Sequence, residues 1–177
     1  MKKIILTSIL LTSLWSCDNQ VVQYPVSYQN DDFITRSQER NKALLKEEIE
    51  WFNQYKEKSN QTFTKTESGL WISNEGTKSN TTATNGDYVD FTYQIYDLDN
   101  TIIYDYKENG NQKLILGKAD IFRGLHSSLQ LIEEGQEARV LVPSFLAFGG
   151  LGDNVKISPN QPIIMDVKIN QIKKQKN

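Results

Sequence analysis

The chain of 177 residues is 38% hydrophobic and 24% charged, a balance typical of one globular domain of about 100–150 residues with appendages. Its formal net charge of −2 gives no electrostatic reason to expect a nucleic-acid partner. The sequence has one cysteine, Cys17, and one histidine, His126. An internal disulfide is therefore impossible, and metal sites of the cysteine–histidine kind are excluded.

The start of the chain has the pattern of an export signal. Two lysines precede an apolar stretch that is too short for a membrane-spanning helix. Leu14, Ser16 and Cys17 resemble the lipobox of bacterial lipoproteins, which implies a signal peptide over 1–16 and a lipid on Cys17. We expect an exported protein, lipid-anchored at a periplasm-facing membrane surface of the bacterial envelope, with a tether over 17–31. The alternative is an ordinary secreted protein with a free cysteine.

A helical arm is predicted after the tether, over 32–65. Within 32–58, Leu45, Ile49 and Phe52 recur at the i, i+4 and i+7 positions, and charged residues cover the rest of the surface. Such an apolar stripe must be buried. It packs either against the domain that follows or against a second copy of the chain in a homodimer, and we favour packing within one chain.

From Gly86 onwards the hydrophobic period changes to two, which is typical of strands. Strands are predicted at 71–72, 88–96, 114–116, 137–142 and 163–170. One helix is predicted over Leu125–Ile132, with Gly135 placed to end it. This order predicts an α+β domain over 66–177, a curled antiparallel β-sheet wrapped over one short helix and preceded by the helical arm.

Motifs for other chemistries fail on their spacing. Asp97 to Glu108 superficially matches a calcium loop, but Ile102 occupies the position that needs glycine. The glycines of 148–152 precede no helical pattern, so they do not predict a phosphate site. No serine has the context of a nucleophile, and His126 is expected on the surface. We expect no metal and no cofactor.

The residues from Gly86 to Ile172 resemble an FKBP-type peptidyl-prolyl cis-trans isomerase domain along nearly their whole length. The stretches that carry the resemblance are GDYVDFTYQIY, Tyr104-Asp105, LGKADIFRGL, GQEARVLVPSFLAFGG and ISPNQPIIMDVKINQI. Each motif is loose by itself, but their order and spacing together are specific. With the lipoprotein signal and the arm, the chain is also similar to the gliding-motility-associated isomerase lipoproteins, which implies service to the motility or secretion machinery.

The resemblance implies an apolar cleft in which proline-containing polypeptides rotate about Xaa-Pro bonds, without covalent catalysis, during the folding of envelope proteins. It assigns catalytic roles to Tyr93, Asp105 and Phe148, and substrate-binding roles to Tyr104, Ile121, Phe122, Leu125, Ile157 and Met165. Leu125 is the floor of this cleft, and Asp105 orients the substrate by a hydrogen bond. The apolar pair Ile121-Phe122 between charged residues is explained if it faces a substrate.

Other readings of single residues stay open. Asp105 fits a turn cap at a strand end, and Tyr93 fits a core tyrosine. Ile121 and Phe122 also fit a buried core. Several positions depart from the family pattern, namely Leu125 for a tryptophan, Met165 for a phenylalanine, Phe148 for a tyrosine and Gln112 for an aromatic residue. These departures predict weaker turnover, and the alternative function is a catalytically weak chaperone or adaptor that binds proline-containing segments.

Overall fold

The computed structural model describes residues 31–73 and 81–175. The predicted signal peptide, Cys17 and nearly all of the predicted tether lie outside the described residues. The chain divides into two compact units, residues 1–38 and 39–177. In the described part of the first unit the backbone is helical, and Phe33 and Ile34 are exposed. None of the described helices is long and apolar enough to cross a membrane.

The described secondary structure is three α-helices, two short 3-10 helices and seven strands. The helices are α1 (Asp31–Lys58), α2 (Tyr106–Asn109) and α3 (Arg123–Leu131), with 3-10 turns at Ser144–Leu146 and Gly149–Leu151. The strands are β1 (Phe63–Lys65), β2 (Trp71–Ser73), β3 (Tyr88–Tyr96), β4 (Ile102–Tyr104), β5 (Gln112–Ile115), β6 (Glu137–Val142) and β7 (Ile163–Lys173).

All seven strands form one antiparallel sheet in the order β1-β2-β6-β7-β3-β4, and β5 pairs with β3. The β3–β7 ladder has an irregularity, since Phe91 pairs with Ile169 but Asp90 pairs with Gln171. Asn170 is therefore an extra residue, as in a β-bulge. The bulge keeps both Ile169 and Ile172 buried although they are three residues apart.

The main core lies between the sheet and α3. Leu125 and Leu129 of the helix are buried in one cluster with Val140 of β6 and Met165 of β7. The alternating pattern of β3, β6 and β7 explains this, because every second residue of these strands packs in the same core. The predicted fold, a curled antiparallel sheet over one short helix with an N-terminal helix, is confirmed.

Some element boundaries differ from those predicted. Helix α3 begins at Arg123, before the predicted start, and ends at Leu131 with Ile132 as its C-cap. Gly135 therefore does not cap this helix; its φ of 78° places it in the turn that precedes β6. Strand β5 ends at Ile115, so Leu116 is a buried residue that follows the strand. Hydrogen bonds in the turns determine where these helices and strands end. The pattern of apolar residues in the sequence does not reveal those hydrogen bonds.

Residues of α1 cover the other face of the sheet. Phe52 is buried against Leu141 and Ile164 in a second, smaller cluster. In β7, Ile164 lies on the same side of the strand as Asp166 and Lys168, yet it is fully buried because the helix packs there. Nζ of Lys56 lies 3.3 Å from the centre of the Trp71 ring, a cation–π contact between α1 and β2. The apolar stripe of the arm is thus used, at least at Phe52, for packing within the chain.

Polar contacts also join α1 to the sheet. Arg139 of β6 donates to both carboxylate oxygens of Asp166 at 2.7 and 2.6 Å. A further nitrogen of Arg139 donates to the hydroxyl of Tyr55 at 2.9 Å, and that hydroxyl donates to Asn100 at 3.0 Å. A guanidinium that bonds a carboxylate through two nitrogens has a fixed orientation. It therefore holds Tyr55, and with it the C-terminal part of the helix.

Candidate active site

Half-buried apolar side chains from four separate segments pack against the main core. Those among the predicted site residues are Tyr93, Tyr104, Ile121, Phe122 and Phe148. They come from β3, β4, the approach to α3 and the segment between the two 3-10 turns. Because these segments are far apart in the sequence, they lie around one core only when the sheet has folded. Partly exposed aromatic residues on such a base are typical of ligand-binding surfaces.

Phe122 and Phe148 are in direct contact. Their ring centres lie 4.8 Å apart with an angle of 39° between the planes. Phe122 is the N-cap residue of α3, and Phe148 precedes the 3-10 turn Gly149–Leu151. The two rings therefore join the start of the central helix to the segment that follows β6. Both are partly accessible, so Phe122 is not a fully buried core residue.

Three predicted binding residues lie deeper. Leu125, Ile157 and Met165 are buried in the same core cluster, with exposed fractions of 2%, 3% and 0%. In this structure they support the half-buried residues and present almost no surface of their own. The role of Leu125 as the floor of a cleft stays a prediction.

Tyr93 combines a half-buried ring with a hydroxyl that has no hydrogen-bond partner among the described residues. Its ring centre lies 5.9 Å from that of Phe91, and burial raises the pKa of its phenol. Within residues 31–73 and 81–175, no group forms a hydrogen bond with the Tyr93 hydroxyl. A tyrosine in the core normally has a partner for its hydroxyl. Tyr93 therefore has the features of a donor available to a bound molecule.

Asp105 caps helix α2. Its Oδ1 accepts hydrogen bonds from the amides of Lys107 and Glu108 at 2.9 and 2.8 Å, and its backbone is extended, as is usual for an N-cap. No hydrogen bond joins its side chain to the hydroxyl of Tyr93 or of Tyr104, the two tyrosines of the predicted set. The capping alternative thus describes the observed geometry, and a role in orienting a substrate stays a prediction.

Asp153 lies beside Tyr104 and was not identified from the sequence. The Tyr104 hydroxyl donates to Oδ2 of Asp153 at 2.5 Å. Burial raises the pKa of Tyr104, and the adjacent carboxylate raises it further, to about 12. Burial also raises the pKa of Asp153, but hydrogen bonds from Tyr104 and from three backbone amides outweigh this and lower it to about 2. The sequence Gly-Asp-Asn is a turn signal that could have drawn attention to the residue.

The fold and this cluster define the class of protein. A sheet curled over one short helix, with half-buried aromatic residues at the helix start, is the FKBP-like arrangement. The family model for FKBP-type peptidyl-prolyl cis-trans isomerases matches residues 79–170, which is more than half of the chain. The chain therefore belongs to the FKBP-type peptidyl-prolyl cis-trans isomerase family.

Two individual proteins illustrate the similarity. A probable FKBP-type peptidyl-prolyl cis-trans isomerase FkpA of Neisseria meningitidis serogroup B (strain ATCC BAA-335 / MC58) is 33% identical over 89 residues, which are 50% of this chain and 32% of that protein. The chain thus spans about a third of that relative. The 1.6 Å crystal structure of a peptidyl-prolyl cis-trans isomerase from Pseudomonas syringae pv. tomato has the same fold, with a TM-score of 0.62 and 20% identity. The match covers 75% of this chain and 96% of that one.

Proposed function

We propose that the domain catalyses cis-trans isomerisation of Xaa-Pro bonds in polypeptides. Membership of the family supports this proposal. The single structural observation that carries it is the group of half-buried side chains, Tyr93, Tyr104, Ile121, Phe122 and Phe148, on a buried apolar base. The pyrrolidine ring of proline is an apolar group of suitable size for such a surface.

The chemistry requires an environment that favours a twisted amide. Rotation about a peptide bond has a barrier of about 18–20 kcal/mol because resonance is lost. The planar amide is more polar than the twisted form, so an apolar surface that excludes water stabilises the twisted form relative to the planar one. We assign to the Tyr93 hydroxyl, which has no hydrogen-bond partner within residues 31–73 and 81–175, the role of donor to a substrate carbonyl. This mechanism needs no nucleophile.

The departures from the family pattern are expected to lower activity. Leu125 and Met165 replace aromatic residues, which leaves a less aromatic base. Phe148 lacks the hydroxyl of the usual tyrosine, and the loss of one such hydrogen bond typically costs about 1 kcal/mol. F148Y is therefore expected to strengthen the binding of a proline-containing peptide by about fivefold.

A proline-limited refolding assay tests the proposal. The protein is expected to accelerate the slow phase of refolding, and Y93F is expected to reduce that acceleration severalfold because it removes only the hydroxyl. Y88F is the matched control, since Tyr88 lies at the other end of the same strand and its ring contacts Lys173. Absence of acceleration by micromolar protein, together with binding of unfolded proline-containing chains, would favour the alternative of a chaperone or adaptor.

The cellular setting is a second part of the proposal. The lipobox-like sequence supports export and a lipid on Cys17, which would hold the protein at an envelope membrane. The whole arrangement supports a role in folding envelope proteins, including those of a gliding-motility machinery. Mass spectrometry of the mature N-terminus, compared with a C17S variant, tests the anchor. Loss of surface movement in a deletion strain, restored by the wild type and not by Y93F, tests the motility role.

The oligomeric state depends on α1. Phe52 is used for packing within the chain, which supports a monomer. Trp51 and Leu45 remain 47% and 37% exposed and are the residues that a homodimer through 32–58 would bury. Sedimentation of the wild type and of W51E distinguishes the two states, because only a dimer dissociates on introduction of a charge at its interface.

A further inference from the structure

One carboxylate oxygen organises the segment of residues 152–157, named here the Asp153 loop. Oδ1 of Asp153 accepts hydrogen bonds from the amides of Val155, Lys156 and Ile157 at 2.9, 2.9 and 2.7 Å. The amide of Asp153 donates to the carbonyl of Ile157 at 3.1 Å. The loop therefore closes around its own acidic side chain, with Ile157 at the point of closure.

The backbone of the Asp153 loop turns through two residues in the left-handed region. Asn154 has a φ of 62°, a conformation that asparagine adopts more readily than most residues other than glycine. Gly152 has a φ of 67°, and a Cβ on it would lie 2.2 Å from the carbonyl oxygen of Ile157. The three amide hydrogen bonds to Asp153 stabilise this turn, since hydrogen bonds to an ionised carboxylate are of the stronger kind.

The second oxygen of the same carboxylate joins the loop to β4. It accepts the Tyr104 hydroxyl, as described above. Lys156 adds two further contacts, because its Nζ donates to the carbonyl of Ile103 at 3.1 Å and lies 4.5 Å from the centre of the Tyr104 ring. Lys156 also forms an ion pair with Glu108. The loop and the end of β4 are therefore connected by several polar contacts, with Asp153 at their centre.

We propose that Asp153 is a positioning residue that sets the Tyr104 ring and Ile157 relative to each other before a substrate binds. The inference rests on the isomerase function proposed above. Tyr104 and Ile157 both belong to the predicted cleft, and Asp153 holds one by its hydroxyl and the other by its amide. The Tyr104 hydroxyl is consequently occupied, so a substrate meets the ring and not the O–H. Groups fixed before binding lose less entropy when a ligand arrives.

Kinetics with a short proline-containing peptide test this inference on the full chain, purified in a mild detergent. The variants are Y104F, D153N, D153A and the double variant Y104F/D153A. V155A is the matched control, since the Val155 side chain is in the same loop and is 78% exposed. The steady-state parameters kcat and KM are measured at a temperature where circular dichroism shows every variant to be folded. If D153A does not fold, Y104F and D153N carry the test.

A positioning role predicts a specific pattern. D153A raises KM by about fivefold or more with a smaller change in kcat, because the loop must be ordered during binding. D153N recovers most of that loss, since its amide oxygen can still accept the three backbone amides. Y104F raises KM in the wild-type background but adds nothing in the D153A background, because the two residues act through one hydrogen bond. V155A leaves both parameters unchanged.

A second measurement reports the hydrogen bond without reference to activity. The difference in absorbance near 295 nm between wild type and Y104F follows the ionisation of Tyr104. The difference between D153A and Y104F/D153A follows the same ionisation without the carboxylate, and there it is expected at a lower pH. Equal kinetics for D153A and V155A, or additive effects of Y104F and D153A, would overturn the inference while leaving the isomerase function intact. If the wild type does not isomerise the peptide, the proposed function fails first and the positioning role fails with it.

Discussion

Glu48 of helix α1 accepts both hydrogen-bond donors of Ser144, the residue that begins the first 3-10 turn after β6. The Ser144 amide donates to Oε2 at 3.1 Å and its hydroxyl donates to Oε1 at 2.5 Å. Both residues are buried. Because Phe148 follows only four residues later, this contact ties the arm helix to the segment that carries one of the predicted site residues.

The titration of Glu48 is expected to affect stability. Burial raises the pKa of Glu48 above its usual value of 4.5, although the bonds from Ser144 act in the opposite direction. The folded state then holds this proton more tightly than the unfolded state, so its contribution to stability is lost as pH rises through the raised pKa. The free energy of unfolding of wild type relative to E48Q is expected to decrease as pH rises above 4.5.

Urea denaturation at several pH values measures this difference. E50Q is the control, because Glu50 is exposed on the same helix and is not among the groups that shift the pKa of Glu48. E48A removes the acceptor from two buried donors and is expected to cost about 1–3 kcal/mol at every pH. Parallel stability curves for wild type and E48Q would contradict the expected linkage.

Asp87 is expected to contribute the opposite dependence on pH. The hydrogen bond from Lys174 and the amide of Thr84 hold the pKa of this buried carboxyl well below its usual range, and the amide of Gln175 adds to the effect. A lowered pKa means that the stabilisation is present above about pH 4 and is lost as pH falls through the folded pKa.

D87N is therefore expected to have a lower thermal midpoint than wild type at pH 7. It is also expected to lose less stability than wild type when the pH falls from 5 to 2. D120N serves as the control, since Asp120 is an exposed aspartate. The explanation fails if D87N and wild type lose stability in parallel over this acidic range.

Substitution of Asp105 separates capping from a direct role in the reaction. Serine is a good N-cap and alanine is a poor one, and the exchange of a capping residue for alanine typically costs about 1 kcal/mol. If Asp105 acts by capping α2, D105S retains most of the isomerase activity and D105A does not. If its carboxylate contacts the substrate, D105S and D105A lose activity equally, so the refolding rates of the two variants decide between the roles.

Gly124 permits close packing of α3. A Cβ at this position would lie 2.5 Å from Cγ1 of Val142 and 3.0 Å from the carbonyl oxygen of Leu146. G124A is therefore expected to destabilise the protein by about 1–3 kcal/mol through overpacking. It should also lower isomerase activity, because α3 must shift together with Leu125. G150A is the control, since the nearest atom to its Cβ would be Asn160 Oδ1 at 3.7 Å, and an equal loss of stability in the two variants would contradict the argument.

The alternation of apolar and polar residues predicted the strands well where only one face of the strand is buried. Val89 and Phe91 alternate with polar neighbours because one side of β3 meets α3, and the structure has that strand. Ile164 and Leu141 are the exception: alternation cannot report that a helix covers the second face of the sheet. The capping alternative for Asp105 was available from the sequence, because it depends only on the amides two and three residues later in the chain.

By itself, the sequence determined the fold class, because hydrophobic periodicity predicts the strands and the helix. The resemblance to the family implied the cleft residues, five of which lie half-buried against the main core. Only the tertiary structure decided the partners of Glu48 and Asp153. Glu48 and Ser144 are 96 residues apart, and Tyr104 and Asp153 are 49 apart. A buried carboxylate requires donors, and which donors reach it depends on how distant segments pack, not on the residues beside it in the chain.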